Sequence, residues 1–358
     1  MANIEKHTES LTVNKIYKYR ESTQESSFRF HLGASLIGEP CQRKLWYIFH
    51  WAAEQKHSGR LLRLFERGQN EEDIFNQELR NVGVDVLEYD PQTGKQWRIS
   101  DCGGHFGGSL DGIAKSGVPE SPNKPHVLEY KTHGDKSFTE LKKKGVYNSK
   151  PLHFAQMQVY MHYKQIDRAL YLAVNKNTDE LYSERVKYDK DEAQLHIDKA
   201  WNVVLSKEPP IKLYDSPVAF GCKFCDYKSI CHGEELPEVN CRTCAHSTPN
   251  DESGKWDCNK WSAQIPGEAQ QAGCDEHLYI PVLVTYGEPI DADAEENTVT
   301  YKMKEDDRQF TNCKDKNIGY SSKELKNISK ELIGDSVVDT LRTEFNAEVT
   351  GSNNNANT

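Results

Sequence analysis

The chain has 358 residues, 45 Lys and Arg against 55 Asp and Glu (a formal net charge of −10), and 36% hydrophobic residues. That length holds one large domain with an appendage or two domains, and the acidic balance argues against a protein that coats nucleic acid nonspecifically. No apolar run is long enough to span a membrane, and the opening MANIEKHTES lacks the basic and apolar stretches of a secretory signal, so a cytoplasmic location and no membrane partner are expected.

Residues 1–27 are polar and read as a flexible arm, frayed or weakly helical. Leu45, Ile48 and Phe49 then have helical spacing, with Cys41 at the start of that helix; a lone cysteine there is ordinarily a small buried hydrophobe. Leu61 to Val82 is a second helix, stopped by Gly83. Gly68 interrupts it where backbone or a ligand could approach closely, and Glu71 and Glu72 follow, otherwise a solvated face. Val84–Tyr89 and Gln96–Cys102 read as a hairpin around Pro91-Gln92-Thr93-Gly94.

The stretch from Gly107 to Lys131 carries the chemistry. Asp111 closes one Gly-flanked apolar run, and His126-Val127-Leu128-Glu129-Tyr130-Lys131 forms another. Both read as strands, joined by the turn-rich Lys115–Pro125. Antiparallel pairing brings Asp111 beside Glu129, and Glu129 and Lys131, two apart, share a face. Carboxylates at that density suit a hard cation, Mg²⁺ or Mn²⁺. The lysine could orient an attacking water or offset charge on a phosphate, so the parts for metal-assisted phosphodiester cleavage are present. The plain alternative is an exposed strand with a surface ion pair.

Ser137 is expected to cap a short helix whose Lys142, Lys143 and Lys144 could meet a phosphate backbone or simply form a charged helix end. Helix 152–163 places Gln156 and Tyr160 on one face. Strands Arg168–Asn175 and Glu180–Tyr188 and a helix Asp191–Val204 complete an α/β core with a mixed central sheet flanked by helices.

Ten cysteines in a reducing compartment point to metal binding rather than disulfides. Cys222, Cys225 and Cys231 form C-x2-C-x5-C, one ligand short of a tetrahedral site, and Cys41 is the natural fourth. Four thiolates suit an iron–sulfur cluster or zinc. Cys241, Cys244, Cys258 and Cys274 form a second set resembling a zinc ribbon, with His277 or His246 as substitutes and Trp256 and Trp261 as a small core. Cys102 and Cys313 read as structural. Tyr279–Tyr286 reads as a strand, Glu288–Glu296 as an acidic linker, Thr298–Met303 as a strand, Ser321–Phe345 as a helical pair, and 350–358 as a disordered tail.

Asp111…Glu129-Tyr130-Lys131 resembles the signature of the PD-(D/E)XK nuclease superfamily, and Gln156-x-x-x-Tyr160 one helix later resembles its RecB-like branch. Cys41 before this core and Cys222, Cys225 and Cys231 after it resemble the iron–sulfur members, the AddB nuclease domain and the exonucleases of CRISPR adaptation. The resemblance implies a restriction-endonuclease-like core over 28–235; it does not extend to the rest, which cysteine spacing and the element pattern read as a cysteine-rich zinc module at 236–280 and a small α+β segment at 281–349. It implies metal ligation by Glu72, Asp111, Glu129 and the carbonyl of Tyr130, a water-positioning Lys131, and Gln156 and Tyr160 steadying site or substrate. It implies a [4Fe–4S] staple on Cys41, Cys222, Cys225 and Cys231, and a phage or bacterial DNA exonuclease acting on single strands or duplex ends. A recombination, repair or replication partner belongs to that expectation; no P-loop motor is present in the sequence. Two other readings stay open: a non-catalytic iron–sulfur/zinc scaffold that binds or docks DNA, and a structure-selective endonuclease.

Overall fold

The computed structural model describes residues 10–24 and 28–350, and the tail 351–358 lies outside the described residues. In chain order the elements are α1 Leu11–Ser22, β1 Leu32–Gly33, α2 Gln42–Phe49, α3 Gly59–Asn81, β2 Asp85–Leu87, β3 Arg98–Asp101, β4 Phe106–Ser109, β5 Gly112–Ser116 and β6 His126–His133. They continue with α4 Asp135–Ser149, α5 Pro151–Lys164, β7 Arg168–Asn175, β8 Leu181–Lys187, α6 Lys190–Leu205, α7 Phe220–Lys223 and α8 Lys228–His232. Next come β9 Ser247–Pro249, β10 Trp256–Cys258, β11 Ala263–Ile265 and α9 Gly267–Ala272. Last are β12 Gly287–Asp293, β13 Thr298–Met303, β14 Gln309–Asn312, α10 Ser322–Asn327 and α11 Ser336–Thr343.

The site is built on a five-stranded sheet of order β2-β5-β6-β7-β8. It is mixed: β6 and β7 are parallel, and the other neighbours are antiparallel. His126 to Tyr130 of β6 are all buried, the pattern of a strand covered on both faces. Leu128 and Tyr130 pack on one side with Phe75 and Leu79 of α3, while Val127 joins Met157 and Val159 of α5 on the other. Helices therefore cover both faces of the sheet, an α/β architecture with a mixed sheet.

α3 starts at Ser58, whose hydroxyl accepts the Leu61 N–H at 3.4 Å, and gives way to Gly83 at φ +90, a backbone conformation that favours glycine. α1 lies against its start: the Gly59 N–H donates to Glu21 Oε1 at 2.6 Å, and a Cβ on Gly59 would come within 2.4 Å of the Tyr17 backbone. The stretch expected to be a frayed or weakly helical arm thus contains a helix, Leu11–Ser22, fixed to the core helix.

Four expectations are corrected. The strands at 85–87 and 98–101 do not form one hairpin; β2 joins β5 and β3 joins β4, and the two segments meet at the bridge Tyr89–Gln96 and through the Trp97 indole N–H, which donates to the Leu87 carbonyl at 2.9 Å. The helix expected to begin at Ser137 begins at Asp135, with Gly134 as its cap and a break at Gly145, φ +70. Residues 279–286 form no strand but a 3-10 turn over Pro281–Leu283 and one bridge at Tyr279. The acidic stretch expected as a linker is β12, the edge strand of β12-β13-β14, whose carboxylates face solvent.

The cysteine-rich segment has no core of its own. Trp256 is buried in the main cluster beside Phe49, His50 and His105, whereas Trp261 is largely exposed. β13 and β14 pack Val299, Tyr301, Met303 and Phe310 into a separate C-terminal cluster with Tyr279 and Tyr320.

Candidate active site

Asp111 occupies the bend between β4 and β5, and β5 pairs with β6 so that Gly112 stands opposite Leu128. Its Oδ2 accepts the Tyr130 N–H at 2.7 Å, which holds the carboxylate against β6 between Glu129 and Lys131. Glu129 is 0% exposed, and neither of its oxygens has a hydrogen-bond partner. Its Oε1 meets the Lys131 ammonium as an ion pair, and the ammonium also donates to the Tyr130 carbonyl at 3.0 Å.

Glu72 approaches from α3, one turn beyond Gly68. Burial pushes its carboxyl up to about 7, and the Asp111 charge adds to the effect against Lys131. Glu129 is likewise pushed up to about 7 by burial, opposed by Lys131 and reinforced by Asp111 and Glu72. Burial also raises Asp111, with Lys131 and the Tyr130 N–H acting the other way. For Lys131, burial acts downward, but Glu129 and Asp111 outweigh it, so its proton is held more tightly than usual. Three carboxylates thus share one ammonium, a donor set short of positive charge, which a divalent cation would supply. Among the described residues no three or more His, Cys, Asp or Glu side chains are already arranged to hold an ion. Here the ammonium rests on Glu129.

Glu72, Tyr130 and Lys131 line a cavity of about 880 Å³ whose other walls include Phe28, Arg29, His31 and Trp51. Gly68 also lines it, and a Cβ there would meet nothing within 4 Å, so this helix turn is open on the cavity side.

Gln156 and Tyr160 stand behind the carboxylates and do not line that cavity. Gln156 Nε2 donates to the Tyr160 hydroxyl at 3.3 Å, which donates to the Ser109 carbonyl at 2.8 Å. A Cβ on Gly108 would come within 2.6 Å of that hydroxyl. The pair therefore fixes the strand end that carries Asp111 two residues later. Of the lysine run, Lys142 pairs with Glu180 and Lys144 with Glu140.

Sequence reasoning missed His133. It follows Lys131 by two on β6, so the same alternation that united Glu129 and Lys131 could have found it. His133 Nε2 and His153 Nδ1 both meet the Tyr171 hydroxyl at 2.9 Å, and the Ser137 hydroxyl meets His133 Nδ1 at 3.2 Å. Burial, with Lys131 and Lys150 nearby, lowers His133 to about 4 and His153 to about 2. Both rings are therefore neutral next to the ammonium. Asn76 of α3 was also missed; its Oδ1 accepts the Tyr130 hydroxyl at 2.8 Å.

The two cysteine sets line separate cavities. Cys41, Cys222, Cys225 and Cys231 surround about 240 Å³, with Tyr47 and Tyr227 among the walls and Arg43, Lys44 and Lys212 bringing positive charge. Cys241, Cys244, Cys258 and Cys274 line one of about 20 Å³, with His246 and His277 beside them. Cys102 and Cys313 are buried and stand apart from both sets.

No protein-family model and no curated protein matches the chain. Among solved structures it is similar to that of SSO0001, at 15% identity and TM-score 0.38 over 62% of this chain and 96% of that one. It is also similar to LHK-Exo, an alkaline exonuclease from Laribacter hongkongensis, at 15% identity and TM-score 0.35 over 53% and 90% of the two chains. The same exonuclease in complex with dAMP gives 13% identity and TM-score 0.33 over 53% and 90%. Overlaps this slight fix no family, and the reading below rests on the geometry of the site. Among the described residues no helix is long and apolar enough to cross a membrane.

Proposed function

We propose that the chain is a nuclease that uses Mg²⁺ or Mn²⁺ to hydrolyse phosphodiester bonds at DNA ends. The observation that carries this reading is Glu129, fully buried, with Oε1 held by Lys131 and Oε2 without a partner among the described residues, and with Asp111 and Glu72 close enough to raise its carboxyl. A carboxylate buried without a satisfied partner is costly, and such groups concentrate at functional sites. A divalent cation, when bound, supplies Lewis-acid charge and a more acidic water. Glu72, Asp111, Glu129 and the Tyr130 carbonyl would hold it. Lys131, released from Glu129 by the ion's charge, would donate to the attacking water or to a phosphoryl oxygen. Gln156 and Tyr160 act as positioning residues through Ser109, and the cavity flanked by Arg29 and His31 has room for a strand end.

Cys41, Cys222, Cys225 and Cys231 are proposed to hold a [4Fe–4S] cluster. The cavity is far larger than one ion needs, and Arg43, Lys44 and Lys212 offset the negative charge of four thiolates. Such a cluster would tie the start of α2 to α7 and α8.

The test is digestion of end-labelled linear single and double strands beside a closed circle, with and without Mg²⁺. The expected result is cation-dependent loss of the linear substrates with the circle intact. Circles cut as fast as linear DNA would exclude exonuclease action. No cleavage of any substrate by metal-replete protein would leave a DNA-binding scaffold.

A further inference from the structure

We propose that Cys241, Cys244, Cys258 and Cys274 bind one zinc ion, and that the loop it closes holds Trp51 in the wall of the candidate active-site cavity through Asn240 and Arg242. The first half stands alone; the importance of that wall rests on the nuclease reading.

The four thiols line one small cavity without standing at ligand spacing, so the ion would draw them the last step inward, and three devices carry them there. Cys241 and Cys244 sit on one tight turn, with the Cys244 N–H donating to the Cys241 carbonyl at 3.2 Å. β9 and β10 pair Cys258 with Ser247, and the Asn259 N–H donates to the His246 carbonyl at 2.9 Å. The Ala245 N–H donates to the Leu278 carbonyl at 2.8 Å and the Ile280 N–H to Thr243 at 3.1 Å, which carries the segment after Cys274 alongside the turn. The cavity they line, about 20 Å³, is close to the volume a single water-sized occupant needs, so it suits one ion and not a cluster. Four sulfur donors select zinc in tetrahedral geometry. Two histidines line the same cavity: His246 Nε2 meets Asn297 at 2.7 Å and His277 Nε2 meets Thr243 at 3.3 Å, while the buried His277 Nδ1 has no partner among the described residues, so His277 is a substitute ligand beside the four thiols. A module of three-residue strands, with Trp256 lent to the main core and Trp261 exposed, lacks the apolar interior to stand without such a staple.

Arg242 lies between two of these cysteines and is 1% exposed, with no carboxylate partner among the described residues. Its guanidinium donates to the carbonyls of Phe49 at 2.8 Å and Phe30 at 3.1 Å and to Gln270 at 3.0 Å. It lies 3.6 Å from the Trp51 ring centroid. Asn240 Nδ2 donates to the Trp51 carbonyl at 3.0 Å. Trp51 itself has φ +53, a left-handed conformation that a bulky residue keeps only where its surroundings over-determine it. The turn of the second cysteine set supplies that determination.

The test uses the full purified chain. Zinc is counted by mass spectrometry and by release with a mercurial reagent, and amide hydrogen exchange is followed over residues 47–53, where the Trp51 and Ala52 N–H groups donate to Ile48 and Tyr47. The expected result is one zinc per chain beside the iron, and its loss in Cys258→Ser with iron retained. Zinc loss in that variant, which keeps the iron, should speed exchange over 47–53 by about tenfold or more. Arg242→Lys should keep the zinc and show the same faster exchange. Wild type without zinc, or Cys258→Ser that keeps it, would overturn the site; unchanged exchange after zinc loss would overturn the coupling. None of these readouts needs cleavage, so failure of the nuclease reading is seen separately.

Discussion

Glu129→Gln isolates the electrostatic strain of the site. In the folded chain the Glu129 carboxyl is raised from 4.5 to about 7, chiefly by burial. A folded-state pKa above the unfolded one means that the folded protein holds this proton more tightly. The associated stability is present below pH 4.5 and is lost as pH rises to about 7. At 1.36 kcal/mol per unit the loss is about 3 kcal/mol. Unfolding entropy of about 2.1 cal/mol/K per residue makes that about 4 °C in Tm for a chain of this size. Thermal unfolding is followed by fluorescence at pH 5 and pH 8, without added divalent cation and with Mg²⁺. Because pH 5 already lies inside that window, wild type without Mg²⁺ should lose about 3 °C more between the two pH values than Glu129→Gln. Mg²⁺ should raise the wild-type Tm at pH 8, do so much less at pH 5, and do little for the variant. Equal pH dependence in the two proteins would refute the strained carboxylate, and equal Mg²⁺ stabilisation would remove Glu129 from the ion site.

Asp111→Ala and Lys131→Ala should each reduce cleavage by about 10²–10⁴-fold with the fold retained, and the double variant should be little worse than either, because both serve one unit; single-turnover assays of metal-replete protein decide this. Cys41→Ala should abolish the iron content and brown colour as fully as Cys222→Ala, read by absorption and iron analysis after anaerobic purification. Tyr160→Phe removes the hydrogen bond to the Ser109 carbonyl and should cost about 1 kcal/mol in denaturant unfolding while lowering kcat. Gly108→Ala, whose methyl would meet that hydroxyl at 2.6 Å, should be destabilising alone and partly rescued by Tyr160→Phe; additive losses would place the clash elsewhere.

Strand alternation made the meeting of Asp111, Glu129 and Lys131 legible in the sequence, because a turn-rich link between two apolar runs leaves antiparallel pairing as the simplest arrangement. The same reasoning misled at 84–102. There the turn chemistry promised a local hairpin, but tertiary pairing drew one strand to β5 and the other to β4. Charge misled at 287–293, since an edge strand can carry carboxylates that a central strand could not, and so reads as a linker. Arg242 could not have been foreseen: an arginine between two cysteines reads as surface, and its burial depends on carbonyls and rings roughly two hundred residues upstream.

Those long-range contacts explain how an irregular wall is held beside the carboxylates. The segment following α2, residues 50–58, has no helix or strand to set its course, yet Trp51 and Gln55 line the cavity. From the second cysteine set, Asn240 and Arg242 grip Trp51. From the first, Tyr227, two residues after Cys225, accepts Gln55 Nε2 at 3.1 Å. Each set therefore reaches the same short stretch of chain, at opposite ends. The carboxylates depend on neither, since β5, β6, α3 and the Tyr160–Ser109 contact fix them from within the sheet layers. On the proposed nuclease reading, loss of either cysteine set should loosen the grip on DNA before it disturbs the proposed ion site. A rise in KM at nearly constant kcat separates that outcome from general unfolding, which would lower the active fraction and leave KM unchanged.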